Sequence, residues 1–222
     1  MFIPNVITQI WIGHRPPPLH WMDTWKQKHP HWTYTIFDNT HLNSTTFYNQ
    51  HLIDEYMDRR IYAGACDLIR YELLYEHGGF IPPSDSICLH NTDELWVEPP
   101  EVCYTVYENE LLEDKRGWVS PIYACNRKNK FVGQIIEHLH TLQPNQLSDY
   151  PHQTTGNLFL KNFIEQKKPN IKIFPYYTFI PNHPQLHAVG QGEGWYENYS
   201  GDNKVYADQQ WYSSHEPTFK IR

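Results

Sequence analysis

The pattern of hydrophobic and polar residues predicts a chain that begins with alternating strands and helices. Residues 6–12 are rich in β-branched and aromatic side chains and stop at Gly13, which is typical of a buried strand followed by a turn. Residues 19–28 predict a helix, and residues 30–37 predict a second strand that is closed by a turn at residues 38–39. A strand, helix, strand order favours a βαβ unit and therefore a parallel sheet.

The middle of the chain predicts a long helix that is packed inside the protein. Residues 61–77 are good helix formers without proline, and their apolar positions cover most of the helix circumference. Gly78 and Gly79 end this helix, since glycine tolerates the positive φ of a helix C-terminus. A short strand is predicted at residues 80–81, before Pro82 and Pro83.

The second half of the chain continues the alternation. The predicted strands are residues 103–107, 118–124 and 171–174, and the predicted helices are residues 131–142 and 156–167. The glycines between residues 190 and 194 do not lie between a strand and a helix, so we interpret them as a loop. No repeat or long linker interrupts the chain, which favours one domain over residues 1–222 with residues 204–222 as a C-terminal flap or tail.

Composition and charge exclude some partners and leave others open. The 222 residues are 40% hydrophobic and 19% charged, which is enough to bury a core, and the net charge of -7 argues against a nucleic-acid partner. No leader pattern follows Met1 and no apolar run could span a membrane, so we expect a cytoplasmic protein, in a host cytoplasm if the source is viral. The four cysteines are widely spaced, which indicates free thiols.

Three charged residues in one segment are the candidates for chemistry. Asp67 and Arg70 lie three residues apart, so they share one face of the predicted helix; they form either an internal ion pair or a ligand site. Asp85 follows the next short strand, where open α/β sheets place ligand-binding residues, although a solvated turn aspartate would look the same. A divalent cation on such a carboxylate could bridge the oxygens of a sugar diphosphate.

The order of these residues resembles a known signature. Ala63, Asp67, Arg70-Tyr71, Leu74, Gly78-Gly79 and Asp85 together resemble the core of glycosyltransferases with the DXD sugar-binding motif. That group includes the yeast outer-chain mannosyltransferase type, and the glucosyltransferase domains of large clostridial toxins are related to it. Residues 4–13, 174–181 and 206–214 resemble the opening strand and the later motifs of the same family.

The resemblance implies a GT-A fold, an α/β domain with a mostly parallel central sheet flanked by helices. It also implies a UDP- or GDP-sugar donor of the hexose type, a hydroxyl acceptor on a glycan, a protein or another molecule, and Mn²⁺ or Mg²⁺ as cofactor. The catalytic residues would be Asp67, Arg70 and Asp85. The nucleotide and donor would contact Gln9, Ile10, Trp11, Gly13, Asp67, Arg70, Gly79, Ser84, Gln209, Trp211, Ser213 and Ser214. The metal would bind Asp85, with Gln209 and His215 as further candidates.

The sequence departs from the family pattern in two places. Pro83 stands where the first aspartate of the DXD motif is expected, so metal binding depends on Asp85. Gln209 and Gln210 stand where many members carry paired histidines before the tryptophan. A glutamine offers a carbonyl oxygen to a hard cation but does not titrate near neutral pH.

The resemblance implies a retaining reaction in which the leaving diphosphate deprotonates the acceptor, so no protein nucleophile is required. Glu108, Glu110 and Asp149 are candidates for a base because carboxylates that follow strands often reach a crevice. Two alternatives are a catalytically weak relative that only binds a nucleotide sugar, suggested by Pro83, and a carbohydrate-binding module that uses exposed Trp and Tyr. A glycoside hydrolase ranks last, since no carboxylate pair stands out.

Overall fold

The computed structural model describes residues 3–108, 110, 117–182 and 204–212. Three predicted site residues, Ser213, Ser214 and His215, lie outside the described residues, and so does the glycine cluster at residues 190–194.

A six-stranded mixed sheet forms the centre of the fold. The described strands are β1 (Val6–Ile10), β2 (Thr33–Phe37), β3 (Gly79–Phe80), β4 (Ser86–Cys88), β5 (Cys103–Val106), β6 (Ala124–Cys125), β7 (Ile171–Phe174) and β8 (Ala207–Gln209). The central sheet has the order β2-β1-β3-β6-β5-β7, and only β6 runs antiparallel to its neighbours. Strands β4 and β8 form a separate antiparallel pair in which Gln209 lies opposite Ser86. The predicted α/β fold with a mostly parallel central sheet is confirmed.

Helices cover both faces of this sheet. They are α1 (Leu19–Lys28), α2 (Asn39–Ser44), α3 (Gln50–Asp58), α4 (Tyr62–His77), α5 (Lys130–His140), α6 (Pro151–Thr154) and α7 (Asn157–Lys167). The predicted helices at residues 19–28, 61–77, 131–142 and 156–167 are present, with ends that shift by at most two residues. At α5 the shift has a local cause, because the Asn129 side chain accepts hydrogen bonds from the backbone N–H groups of Phe131 and Val132.

Two predictions about local structure are wrong. The turn expected at residues 38–39 is the start of α2, since the Asp38 carboxylate caps the backbone N–H groups of Thr40 and His41. The strand expected at residues 118–124 is not continuous: Val119 forms an isolated bridge with Tyr107, and a strand resumes only at Ala124. Pro121 lies between them and has no N–H to donate to a ladder.

The hydrophobic core has two parts, one on each face of the sheet. Because side chains alternate along a strand, Cys103 packs with α3, α4, α5 and α7, while Tyr104 packs with Trp25, Trp96 and Phe179 on the opposite face. Trp25 is completely buried, and its indole N–H donates to the Ser86 carbonyl at 3.1 Å, which ties α1 to β4. The four cysteines are free thiols, as predicted. None of the described helices combines the length and the apolar character needed to cross a bilayer.

Candidate active site

A cleft of about 860 Å³ opens at the carboxyl edge of the central sheet. The ends of β1, β3 and β5 lead into it, and the antiparallel β6 starts there. Open α/β sheets bind ligands at this edge. The described residues that line the cleft and were also predicted as site residues are Ile10, Trp11, Asp67, Arg70, Ser84, Asp85, Gln209 and Trp211.

Helix α4 turns one face, which carries Asp67 and Arg70, towards the cleft. Ala63, Cys66, Asp67 and Arg70 line the cleft, whereas Leu68 and its neighbours on the other sides of the helix are buried in the core. The spacing of three and four residues places the four cleft-lining side chains on one face. The apolar circumference of α4 therefore fixes the helix inside the protein and leaves one stripe for a ligand.

Asp67 and Arg70 have separate partners instead of forming a direct ion pair. The Thr155 hydroxyl donates to Asp67 Oδ2 at 3.0 Å. Arg70 Nη1 donates to the carbonyl of Ile81 and, at 3.5 Å, to that of Ile122. The guanidinium thus joins the segments that follow β3 and precede β6, and both side chains remain in the cleft wall.

Burial raises the pKa of the Asp67 carboxyl from its ordinary 3.8 to about 7, although the positive charge of Arg70 and the Thr155 hydrogen bond both lower it. Between these two values the folded protein holds a proton that the unfolded chain has lost. Unfolding therefore releases this proton, and the contribution of Asp67 to the free energy of unfolding falls as the pH rises from about 4 to about 7.

We expect Asp67→Asn to remove this pH dependence. Each unit of pKa corresponds to about 1.4 kcal/mol, and partial exposure of the carboxylate to the cleft reduces the total to roughly 2–3 kcal/mol. Urea unfolding at pH 4.5 and pH 7.5 measures the difference in the free energy of unfolding between the two pH values. The control is Asp58→Asn, at the exposed end of α3, which should show the same pH dependence of unfolding as the wild type. If the free energy of unfolding changed equally between the two pH values in the wild type and in Asp67→Asn, Asp67 would not be the titrating group.

The loop between β3 and β4 is held firmly where it presents Asp85. The Pro83 carbonyl accepts hydrogen bonds from Gln9 Nε2 at 3.2 Å and from the Ser86 hydroxyl at 2.6 Å. The Ser84 hydroxyl donates to the Ile10 carbonyl at 2.8 Å, and the Gln210 N–H donates to the Asp85 carbonyl at 2.7 Å. Asp85 itself is buried at the cleft, and these hydrogen bonds fix the backbone on both sides of its side chain.

The other end of the cleft joins the N-terminal turn to the C-terminal segment. The rings of Trp11 and Tyr212 stack with centroids 5.9 Å apart, and Arg15 Nη1 donates to the Tyr212 carbonyl at 3.3 Å. Trp211 lines the cleft and donates its indole N–H to the Asn182 carbonyl at 2.7 Å. Aromatic faces at this end are suited to a nucleobase.

Three predicted contact residues, Gln9, Gly13 and Gly79, do not line the cleft. Gln9 is fully buried and accepts a hydrogen bond from the Tyr34 hydroxyl at 2.6 Å, in addition to its contact with the β3–β4 loop. Gly13 exchanges hydrogen bonds with Asn39, 2.9 Å and 2.8 Å long. Gln9 and Gly13 therefore stabilise the segments next to the cleft through these hydrogen bonds and do not line it. Among the candidate bases Glu108 lines the cleft, whereas Glu110 and Asp149 do not.

The cleft also contains residues that the sequence analysis did not propose, among them Tyr123, Asn157 and His152. They come from parts of the chain that carry no motif. Within the described part of the chain, no group of three or more His, Cys, Asp and Glu side chains is arranged to hold a metal ion.

Comparison with solved structures identifies the class of fold. Six chains match, among them "PaToxG Glycosyltransferase", with a TM-score of 0.56 and 15% sequence identity over 74% of this chain and 70% of that chain. The fold is therefore similar to that of a glycosyltransferase.

The sequence comparison points to the same class. Residues 19–101 match the family described as "Glycosyltransferase sugar-binding region containing DXD motif", and this part of the chain includes Asp67, Arg70 and Asp85. The family resemblance predicted from the sequence is confirmed for residues 19–101, which match the sugar-binding region of that family. No curated protein matches the chain. The closer likeness to the yeast outer-chain mannosyltransferase type stays a prediction.

Proposed function

We propose that the protein transfers a hexose-type sugar from a UDP- or GDP-sugar to a hydroxyl group of a glycan, a protein or another acceptor, with retention and with the help of a divalent cation. The observation that carries the proposal is the cleft itself. It brings Asp67, Arg70 and Asp85, from α4 and the β3–β4 loop, to the carboxyl edge of the sheet in the same cleft as Trp11. In this proposal residues 1–222 act as one domain, and residues 204–222, which include Ser213 and Ser214, close over the diphosphate.

The order of the strands defines the direction in which the nucleotide-sugar donor would lie along the cleft. From β1 the sheet continues through β3 and β6 to β5. Neighbouring strands lie about 4.8 Å apart, so the cleft spans roughly 14 Å between the ends of β1 and β5. This length suits a nucleoside at Trp11, a diphosphate at Asp85 and a sugar at Asp67 and Arg70.

The side-chain oxygens that line the cleft suit a cation that also binds the diphosphate of the substrate. Mg²⁺ usually binds one or two carboxylates together with substrate phosphates and water, and it does not need a cage of protein ligands. The buried carboxylate of Asp85 supplies one such ligand, and the amide oxygen of Gln209, which also lines the cleft, could supply a second. His215 remains a further candidate. A bound cation would neutralise the charge that develops on the leaving diphosphate.

The chain's own residues would bind and orient the substrates. Arg70, fixed by two backbone carbonyls, keeps a positive charge beside the reacting region, where a fixed charge stabilises a developing negative charge. Asp67, fixed by Thr155, can accept hydrogen bonds from sugar hydroxyls. In a retaining reaction of this kind the acceptor proton passes to the leaving diphosphate oxygen.

A ligand screen by thermal unfolding tests the proposal. At 100 times its Kd a ligand stabilises the folded state by about 2.7 kcal/mol. For a chain of this length that corresponds to a rise in Tm of roughly 5–10 °C. We expect UDP or GDP to give such a shift, and Mn²⁺ to increase it. If no nucleoside diphosphate or its sugars raised the Tm, with or without Mn²⁺, the proposed function would be wrong.

One observation favours a second candidate, a relative that binds a nucleotide sugar without turning it over. Pro83 occupies the place of the first acidic residue of the motif, and its contribution to the site is a backbone carbonyl. Measuring donor hydrolysis with Mn²⁺ and with EDTA separates the two functions. Tight binding of the nucleotide, with no metal-dependent hydrolysis of the donor, would favour the relative that only binds a nucleotide sugar.

A further inference from the structure

The end of the cleft farthest from Trp11 has a distinct set of polar side chains. Glu108 lies two residues after β5, Ser120 and Tyr123 precede β6, and Asn157 begins α7. All four residues line the cleft. Because β5 and β6 lie beyond β3 in the sheet, these residues are farther along the cleft than the loop that carries Asp85.

Tyr123 contributes a buried hydroxyl. Only 2% of the residue is exposed, its ring packs against Phe80 and Phe179, and the Arg70 guanidinium lies 5.8 Å from the ring centroid. Ser120 is a neighbour, but no described residue completes a hydrogen bond with the Tyr123 hydroxyl. Burial raises the pKa of Tyr123, so the group remains a donor at neutral pH. A buried hydroxyl without a partner destabilises the folded protein unless a ligand or water completes its hydrogen bond.

Glu108 contributes an oriented carboxylate to the same cleft. It is 6% exposed, and Asn157 Nδ2 donates to Glu108 Oε2 at 2.6 Å. The backbone is also fixed, because the Glu108 N–H donates to the Trp118 carbonyl at 2.9 Å. The carboxylates of Glu108 and Asp85 both raise the pKa of Tyr123, and all three residues line the same cleft.

We propose that Tyr123 and Glu108, with Asn157 as the positioning residue, form a subsite for the hydroxyl groups of a sugar ring. The inference rests on the proposed function and extends it beyond Asp67 and Arg70. A neutral donor and a carboxylate acceptor in one part of the cleft match the donor and acceptor character of sugar hydroxyls. The sugar belongs either to the donor or to the acceptor.

Two conservative variants test the subsite. Tyr123→Phe removes the hydroxyl and keeps the ring, and Glu108→Gln removes the charge. The matched controls are Tyr104→Phe, which removes a buried hydroxyl that binds the Glu98 N–H outside the cleft, and Glu110→Gln, whose carboxylate binds the Tyr176 N–H. Calorimetry measures the Kd of UDP, GDP, UDP-glucose and GDP-mannose for each protein. A second assay measures transfer from the bound donor to methyl glycosides relative to its hydrolysis.

If the subsite holds the donor sugar, Tyr123→Phe and Glu108→Gln should weaken the nucleotide sugar about tenfold and change the nucleoside diphosphate less than twofold. If it holds the acceptor sugar, donor affinity should stay constant and the ratio of transfer to hydrolysis should fall about tenfold. The controls should change neither quantity. Wild-type values for both quantities in both variants would overturn the subsite. Absence of any nucleotide binding in the wild type would instead refute the proposed function.

Discussion

Asp85→Asn should lower the rate of metal-dependent donor turnover by about 10²–10³-fold. The substitution keeps the size of the side chain but removes the negative charge of the carboxylate buried in the β3–β4 loop. Removing one fixed group that stabilises developing charge typically costs this much in rate. Because Pro83 leaves Asp85 as the only acidic residue of the motif, no second motif carboxylate remains to hold the cation.

Initial rates of UDP-glucose or GDP-mannose hydrolysis, measured over a titration of Mn²⁺, check this prediction. The Mn²⁺ concentration that gives half-maximal rate should rise in Asp85→Asn, while nucleotide binding in EDTA should change little. Asp54→Asn is the control, since Asp54 lies exposed on α3, accepts a hydrogen bond from Gln50 and does not line the cleft. Wild-type rates with an unchanged Mn²⁺ dependence in Asp85→Asn would contradict the proposed metal ligand.

Gly79→Ala should destabilise the folded protein by about 3 kcal/mol or more, which corresponds to a fall in Tm of roughly 6–12 °C. Gly79 has a φ of +92°, and a Cβ atom placed there would lie 2.5 Å from the Val6 carbonyl oxygen. Strand β3 pairs with β1 at this point, so the backbone of β1 cannot move away without breaking the sheet. The cost of a positive φ in a non-glycine residue therefore adds to the cost of the close contact with the Val6 carbonyl oxygen.

Gly117→Ala separates these two costs. Gly117 has a similar φ of +78°, but among the described residues its Cβ would meet the end of the flexible Lys161 side chain alone, at 3.4 Å. We expect a loss of about 1 kcal/mol from the positive φ alone. Urea unfolding of both variants provides the comparison. Equal losses would mean that the close approach of β1 is not the reason for glycine at residue 79.

The local sequence was sufficient to predict most elements near the site. Helix α4, with its apolar circumference and its terminal Gly78, was predicted to within one residue, and the strand at residues 171–174 has the predicted bounds. Both follow from short-range periodicity and from the φ tolerance of glycine. Helices α2 and α3 were not predicted. The start of α2 depends on the side chain of Asp38 acting as a cap where a turn was also possible.

The candidate site was predictable only where its residues lie close together in the sequence. Asp67, Arg70, Gly78–Gly79 and Asp85 fall within one short segment, so their order alone predicted the family resemblance, and Asp67, Arg70 and Asp85 line the cleft. The contact of Trp11 with Tyr212 and the grouping of Glu108, Tyr123 and Asn157 were decided by the tertiary structure. These residues meet because β6 lies antiparallel between β3 and β5 and because the C-terminal segment returns to the end of β1. Such encounters depend on strand order and long-range packing, which local periodicity does not determine.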